Sequence, residues 1–320
     1  MRALVTGPTG KVGNAITRAL AARGDDVKVL ARDPARAAEV LPPGVAALKG
    51  DVTEPESLAA AVEGCDVVFN AMGLPEQWLR DAHAFTRVNA EGTANVVRAA
   101  REAGVRRFVH TSTIDVFHAE RGGRFDESNL ADYPKGTAYE RSKQEAERMA
   151  LAAAGEMELV FANPAGVYGP GPAGSASFED DLFKPLMRRR LPSLPPGGMG
   201  VTHCEGAAAG HLLIAERGRD RERYILCDRH VTLRELAETV VRLAHRGWVP
   251  PTLPVPVASA MAGAGEAVAR LTGVKPLLPR GQLHFFLWNA IPDSTRAQEE
   301  LGWEPTPLED GLRSALAAAL

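Results

Sequence analysis

Short apolar runs alternate with helical patterns through the first half of the chain. Val67-Val68-Phe69 is continuously apolar, as expected of a strand covered by helices on both faces, and lacks the in–out alternation of a half-exposed one. Strands are predicted at 3–6, 27–31, 46–49, 67–70, 107–111 and 159–162. Helices are predicted between them at 12–23, 34–40, 55–62, 81–103 and 138–154. Strands alternating with helices in this way build βαβ units, so the fold class is α/β with a doubly wound parallel sheet.

The texture changes after Pro164. Proline and glycine crowd 164–174 and 192–200, and helical patterns then recur near 180–190, 206–217, 233–245, 257–272, 294–301 and 308–320. The chain therefore divides into 1–163 and a smaller, mostly helical region over 164–320, with about 201–227 returning to the main sheet. The closing segment repeats Leu308, Leu312, Leu316 and Leu320 at four-residue spacing, an apolar stripe. Residues 255–274 are rich in small apolar side chains, but Glu266 and Arg270 interrupt them. That stretch is too polar to span a bilayer and reads as a packed helix.

Composition narrows the partners. The 320 residues are 45% apolar, and Lys+Arg 37 against Asp+Glu 40 leave a net charge of -3. Such a balance gives no global field to recruit nucleic acid or an anionic membrane, so the expected partner is a small molecule. Cys65, Cys204 and Cys227 show no metal-site or disulfide spacing. The chain enters a strand pattern at once, with no room for a secretory leader, and a cytoplasmic location is expected. No metal is expected: His203 and His211 lack carboxylates or cysteines to complete a site.

Two segments carry chemistry. Thr6-Gly7-Pro8-Thr9-Gly10-Lys11-Val12-Gly13 follows the first strand and opens a helix. Gly7 permits the tight turn, Gly10 lets backbone approach a pyrophosphate, and Gly13 allows close helix–strand packing. The helix start then offers free N–H groups to phosphates. Strand two ends Ala31-Arg32-Asp33. Ala31 stands where a carboxylate would bind a free ribose 2′-hydroxyl, and Arg32 suits a 2′-phosphate, so NADP(H) is preferred. Asp33 either caps the next helix ahead of Pro34 or binds ribose, which keeps NAD(H) open.

The second segment is Tyr139-Glu140-Arg141-Ser142-Lys143. Its four-residue spacing puts Tyr139 and Lys143 on one helix face. A free tyrosine titrates near pH 10, and a neighbouring ammonium lowers that, making the phenol a usable acid/base. The fifth strand ends His110-Thr111-Ser112-Thr113, bringing hydroxyls to the carboxyl end of a central strand, where α/β ligands bind.

Taken together with Gly50-Asp51-Val52, 64–69, 88–93, Asn163-Pro164, Val167–Gly171, Asp293-Ser294 and 300–303, the sequence resembles an extended short-chain dehydrogenase/reductase. It is most similar to the branch of dihydroflavonol reductases, 3β-hydroxysteroid dehydrogenases and hopanoid-associated sugar-epimerase-like proteins. The resemblance implies a Rossmann-type fold for 1–163 and a substrate-binding region in the rest. It implies catalytic roles for Tyr139, Lys143 and Thr113. It places Gly7, Thr9, Gly10, Lys11, Val12, Gly13, Arg32, Asp51, Val52, Asn70, Ala71, Met72, Thr111 and Pro164 against the cofactor, together with Tyr139 and Lys143. Candidate substrate contacts are Leu74, Trp78, Asp115, Phe117, Asn163, Val167 and Phe178. Relatives pair through two long helices, here 81–103 and 138–154, so a homodimer is open.

The substrate class follows from what is missing. Nucleotide-sugar enzymes anchor a diphosphate shortly before the tail Asp-Ser, where this chain reads Leu283-His284-Phe285-Phe286. The expectation is an oxidoreductase interconverting a ketone or aldehyde and its alcohol on a bulky, largely apolar substrate. The alternatives are a nucleotide-sugar epimerase/dehydratase and a non-catalytic NADP-binding regulator. Where relatives commonly read His-Val-Asp-Asp, this chain has His203-Cys204-Glu205-Gly206.

Overall fold

The structure, a computed structural model, describes residues 1–175 and 177–319. Leu320, the last member of the predicted leucine stripe, lies outside the described residues.

Seven parallel strands form the main sheet. They are β1 (Arg2–Thr6), β2 (Asp26–Ala31), β3 (Ala46–Lys49), β4 (Val67–Asn70), β5 (Arg107–Thr111), β7 (Glu158–Pro164) and β10 (Arg223–Leu226), with β6 (Arg124–Phe125) lying outside it. Their order is β10-β7-β5-β4-β1-β2-β3. The winding reverses between β1 and β4, and a crevice opens at such a switch point beyond the carboxyl ends of the strands.

Helices cover both faces, as the apolar strands require. α1 (Lys11–Ala22) is followed by the short α2 (Pro34–Ala38), α3 (Ala59–Val62) and α4 (His83–Phe85), then α5 (Gly92–Glu102) and α6 (Ala138–Ala154). Leu4, Val68 and Phe108 point to the α5 and α6 side, among Val96, Val97 and Ala150. Val5, Phe69 and Val160 point the other way, onto Ile16 of α1 and Ile214.

The predicted helix 81–103 is not continuous. A π-helical stretch, Thr86–Glu91, separates α4 from α5. Such insertions are frequent at functional sites, and here the turn brings Asn89 inward. Its amide accepts from Leu74 N at 2.7 Å and donates to Leu74 O at 3.1 Å and Ser142 Oγ at 3.0 Å.

Beyond Pro164 the chain builds a second layer. β8 (Gly166–Tyr168), β9 (Gly198–His203) and β11 (Arg229–Thr232) form a separate three-stranded sheet, and β12 (Ile291–Pro292) pairs with β6. The helices are α7 (Lys184–Met187), α8 (Cys204–Arg217), α9 (Leu233–Ala244), α10 (Val255–Thr272), α11 (Arg280–Trp288), α12 (Thr295–Leu301) and α13 (Leu308–Ala319). Within 201–227, β9 stays in the small sheet, while α8 packs on α1 and β10 becomes the seventh strand of the main one. The predicted helix 180–190 shortens to α7 behind a π-helical turn, Glu179–Phe183. Leu308, Leu312 and Leu316 of α13 are buried with Leu186, Met199 and Leu236 in the core of this region.

Candidate active site

The turn after β1 is built for a close approach. Gly7 has φ +68, and a Cβ there would lie 2.8 Å from Ala71 O. A Cβ on Gly13 would lie 2.3 Å from Gly7 O, so helix α1 meets the turn closer than any side chain permits. Gly10 caps α1 without a side chain in the way, leaving the first helical N–H groups of Lys11 and Val12 facing the cavity mouth. An anionic diphosphate fits this cradle on shape and on dipole sign. Thr9 lies in the same turn.

Hydrogen bonds tie the strand ends behind it. Thr6 Oγ1 donates to Asn70 Oδ1 at 2.7 Å and accepts from Met72 N at 3.2 Å. Asn70 Nδ2 reaches Thr93 Oγ1 and His110 Nδ1. The Asn70 side chain is thus consumed inside the protein, while Ala71 and Met72 line the cavity.

Arg32 is exposed after β2, and the Asp33 side chain caps α2 by accepting from Arg36 N at 3.1 Å. Asp51 Oδ1 accepts from Thr53 N and Oγ1, and Val52 packs where Gly92 leaves room for it.

Lys11 opens α1 and lines the cavity. Its ammonium is buried against Glu179 at 2.5 Å. Glu179 also accepts from Gly169 N at 2.6 Å and Ser177 Oγ at 2.7 Å. The Lys11 charge is therefore committed to a carboxylate 168 residues away.

α6 supplies the Tyr–Lys pair. Thr137-Ala138-Tyr139-Glu140 forms a capping box: Glu140 N donates to Thr137 Oγ1, and Thr137 N donates to Glu140 Oε2 at 2.7 Å. This fixes the first turn, with Tyr139 edge-on to Phe85 at 6.0 Å between ring centroids. Lys143 donates to Thr111 O at 2.9 Å, and burial pulls its pKa down to about 8. Tyr139 moves the opposite way from the sequence expectation. Burial, then the Asp115 charge, pushes its phenol well above the ordinary value, against an opposing hydrogen bond with Thr113.

The hydroxyls after β5 divide by face. Thr111 Oγ1 bonds His211 Nε2 at 2.9 Å, so only its carbonyl serves Lys143. Ser112 Oγ donates to the buried Glu147 at 2.5 Å, which Arg223 pairs from behind. Thr113 Oγ1 remains beside Tyr139 and donates to Asp115 Oδ2 at 2.8 Å. The other Asp115 oxygen, Oδ1, is buried without a hydrogen-bond partner among the described residues, in a residue 6% exposed. Burial, then Glu140, raises the Asp115 pKa to about 7.

These groups share one cavity of about 700 Å³ with the glycine-rich turn. Tyr139, Lys143, Thr113, Asp115 and Pro164 line it together with the apolar Leu74, Val167, Phe178, Met199, Phe285 and Phe286. Glu76, Glu140 and His284 were not anticipated there. Glu76 accepts from Thr137 Oγ1 at 3.0 Å, and its pKa rises to about 7 through burial. Burial would raise Glu140 too, but His284 and the Thr137 N–H hold it below the ordinary value. The T-x-x-E pattern is the one signal by which the sequence could have placed Glu140; Glu76 and His284 come from loops and helices with no motif.

Three expected substrate contacts fall elsewhere. Phe117 is fully buried against Phe125, with ring centroids 5.8 Å apart, in a core with Ile114 and Ile225. Asn163 is buried under the site, donating to Thr113 O at 3.0 Å and Glu147 at 3.3 Å. Trp78 is half-buried and off the cavity wall. For Trp78 and Asn163 a neighbour in sequence, Gln77 or Pro164, lines the cavity instead; for Phe117 the nearest lining residue is Asp115, two positions earlier.

The pattern of the NAD dependent epimerase/dehydratase family matches residues 3–196. A putative dihydroflavonol 4-reductase of Synechocystis sp. is 29% identical, over 98% of this chain and 92% of its own length. A 4-hydroxy-2-methyl-3-oxo-4-farnesyl-3,4-dihydroquinoline-1-oxide ketoreductase of Stigmatella aurantiaca is 31% identical, over 95% and 92%. Among solved structures, gox2253 superposes with a TM-score of 0.84 at 27% identity, over 99% of this chain and 97% of that one. With its glycine-rich turn, parallel sheet and Tyr–Lys helix, the chain belongs to the NAD dependent epimerase/dehydratase family, the extended short-chain dehydrogenases/reductases.

Proposed function

We propose that this protein is an NADP(H)-dependent reductase of a bulky, largely apolar ketone or aldehyde, with Tyr139 as its acid. The observation that carries this reading is the single cavity joining the dinucleotide turn to Tyr139, Lys143 and Thr113. Bound NADPH would supply hydride to the carbonyl carbon. Tyr139, held protonated by burial, gives its proton to the oxygen as negative charge develops there. Lys143, anchored on Thr111 O, holds the cofactor ribose side of the site. Thr113 stabilises the oxygen when its own proton is free to turn toward it. The protonated phenol is the form that reduction uses, and the phenolate the form that oxidation uses.

Electrostatics supports the substrate class. Among the described residues, Glu76, Asp115, Glu140, Asp180 and Asp181 line the cavity, and its lysines are Lys11, Lys143 and Lys275, without an arginine. Lys11 is already paired. A nucleotide-sugar diphosphate would meet repulsion here, whereas a carbonyl flanked by apolar groups finds Phe178, Phe285 and Phe286. The Stigmatella relative is by name a ketoreductase of a farnesylated quinoline oxide, a substrate of that kind. Asp33, used as a helix cap, leaves Arg32 to meet a 2′-phosphate, which supports NADP(H) over NAD(H).

The test follows NADPH and NADH absorbance with apolar ketones and aldehydes beside nucleotide sugars. NADPH consumption with an apolar carbonyl is expected, with Tyr139→Phe lowering kcat by roughly 10²–10⁴-fold. Conversion of a nucleotide sugar without net cofactor consumption would replace this reading with an epimerase. Tight NADPH binding with no turnover across the panel, equal in Tyr139→Phe, would favour a regulator.

A further inference from the structure

Helix α10 carries small apolar residues inward and large ones outward. Ala258, Ala262 and Ala269 are buried, the first two packing with Leu283 of α11. On the other side Val257, Met261, Ala264, Val268 and Leu271 recur at alternating four- and three-residue steps, and all are exposed. That spacing makes one stripe along a helix. The apolar surface continues past the helix: Leu271 is 88%, Val274 68% and Leu277 98% exposed. Single exposed apolar side chains are ordinary, but a contiguous run of them marks an interaction surface.

Charge selects the occupant. From 267 to 280 the chain holds Arg270, Lys275 and Arg280 and no carboxylate. The one acid of α10, Glu266, has a side chain only 13% exposed and is shared by Arg270 at 3.7 Å and Arg280 at 3.9 Å. Those arginines stay 70% and 65% exposed. Two copies meeting on this face would bring like charges together, whereas acidic lipid headgroups would neutralise them. An apolar stripe with basic flanks is also the pattern of helices lying in a membrane interface.

We infer that α10 and the 273–280 segment dock this protein on a bilayer surface containing anionic lipid, with Leu271, Val274 and Leu277 sunk to the acyl boundary. The helix lies on the membrane and does not cross it; among the described residues no helix is long and apolar enough for that. Lys275 and Gly281 line the catalytic cavity, so the docked face is beside its mouth. Resting on the reductase reading above, this placement lets an apolar substrate pass between lipid and cavity without crossing water. The docking itself is measured without substrate or cofactor, and so stands or falls apart from that reading.

The experiment is co-sedimentation of the purified full chain with vesicles of mixed phosphatidylcholine and phosphatidylglycerol, and with phosphatidylcholine alone. Binding to the mixed vesicles is expected, declining as salt rises. Leu271→Glu with Leu277→Glu should weaken it by roughly tenfold or more with unchanged circular dichroism, since both side chains are in water in the free protein. Arg270→Gln should weaken it about fivefold. Absence of binding to both vesicles, or equal binding by wild type and the double variant, overturns the proposal. So does light scattering that shows a dimer dissolved by the double variant while vesicles are ignored, which would assign the stripe to a second copy.

Discussion

At the scale of single residues, Asp115 decides what Thr113 can do. A threonine hydroxyl has one proton, and with Asp115 ionised that proton is donated to Oδ2, the two oxygens 2.8 Å apart. A protonated Asp115 donates across the same contact and frees the Thr113 proton for a substrate oxygen beside Tyr139. With the carboxyl raised to about 7 by burial, the reduction rate is expected to fall as pH rises through about 7. Asp115→Asn, whose amide donates at every pH, should flatten that limb in a kcat–pH profile; a limb of the same midpoint in the variant would assign it to another group, Glu76 first. Stability carries the same sign. The raised pKa favours the folded state at low pH, and that contribution is lost as pH rises toward the folded value. The advantage of Asp115→Asn in thermal unfolding should therefore grow from about pH 4, the ordinary carboxylate value, to about pH 7 and level off above.

At the scale of elements, two contacts hold the site to its scaffold. The Lys11–Glu179 pair links the turn after β1 to the π-helical segment Glu179–Phe183, and Phe178 and Asp180 on either side of Glu179 line the cavity. Both side chains are more than nine-tenths buried, so Glu179→Gln leaves an uncompensated ammonium and should cost roughly 3–5 kcal/mol in urea unfolding. A smaller loss, with cofactor affinity unchanged, would mean the segment re-forms without the pair. Phe117 tests the other correction. As core packing on Phe125, Phe117→Ala should cost about 3–5 kcal/mol of stability and leave KM for substrate near the wild-type value. A large rise in KM with stability intact would return Phe117 to the substrate side.

For the molecule as a whole, the second layer is joined to the first through its tail. Trp303 is 2% exposed in the core of the main sheet and donates from Nε1 to Gly206 O of α8 at 2.9 Å. β10, formed after α8, closes the sheet edge beside β7. Trp303→Ala should therefore lower stability by about 3–5 kcal/mol and lower the unfolding midpoint of both layers together, read by intrinsic fluorescence of the other tryptophans and by far-ultraviolet circular dichroism. Two separated transitions would show the layers to be independent.

Local chemistry was legible where neighbours in sequence are also neighbours in space. The strand–glycine–helix turn, the one-turn spacing of Tyr139 and Lys143 and the Asp33 cap ahead of Pro34 depend on a few consecutive dihedrals, and the main sheet on apolar runs. The strands β6, β8 and β12 were missed because two or three residues carry no period, and β9 and β11 because glycine and polar residues interrupt their apolar pattern. Tertiary packing alone brought Glu76, Glu140 and His284 around Tyr139, and it reversed the expected shift of the phenol. Desolvation belongs to the finished interior, and no spacing along a chain encodes how deeply a hydroxyl will be buried. The same holds for α10: its composition reads as a packed helix, but only the fold shows that the alanine side is covered while the larger side chains face outward. Sequence fixes which groups exist and their local geometry; distance and dielectric between remote ones arise only when the chain closes on itself.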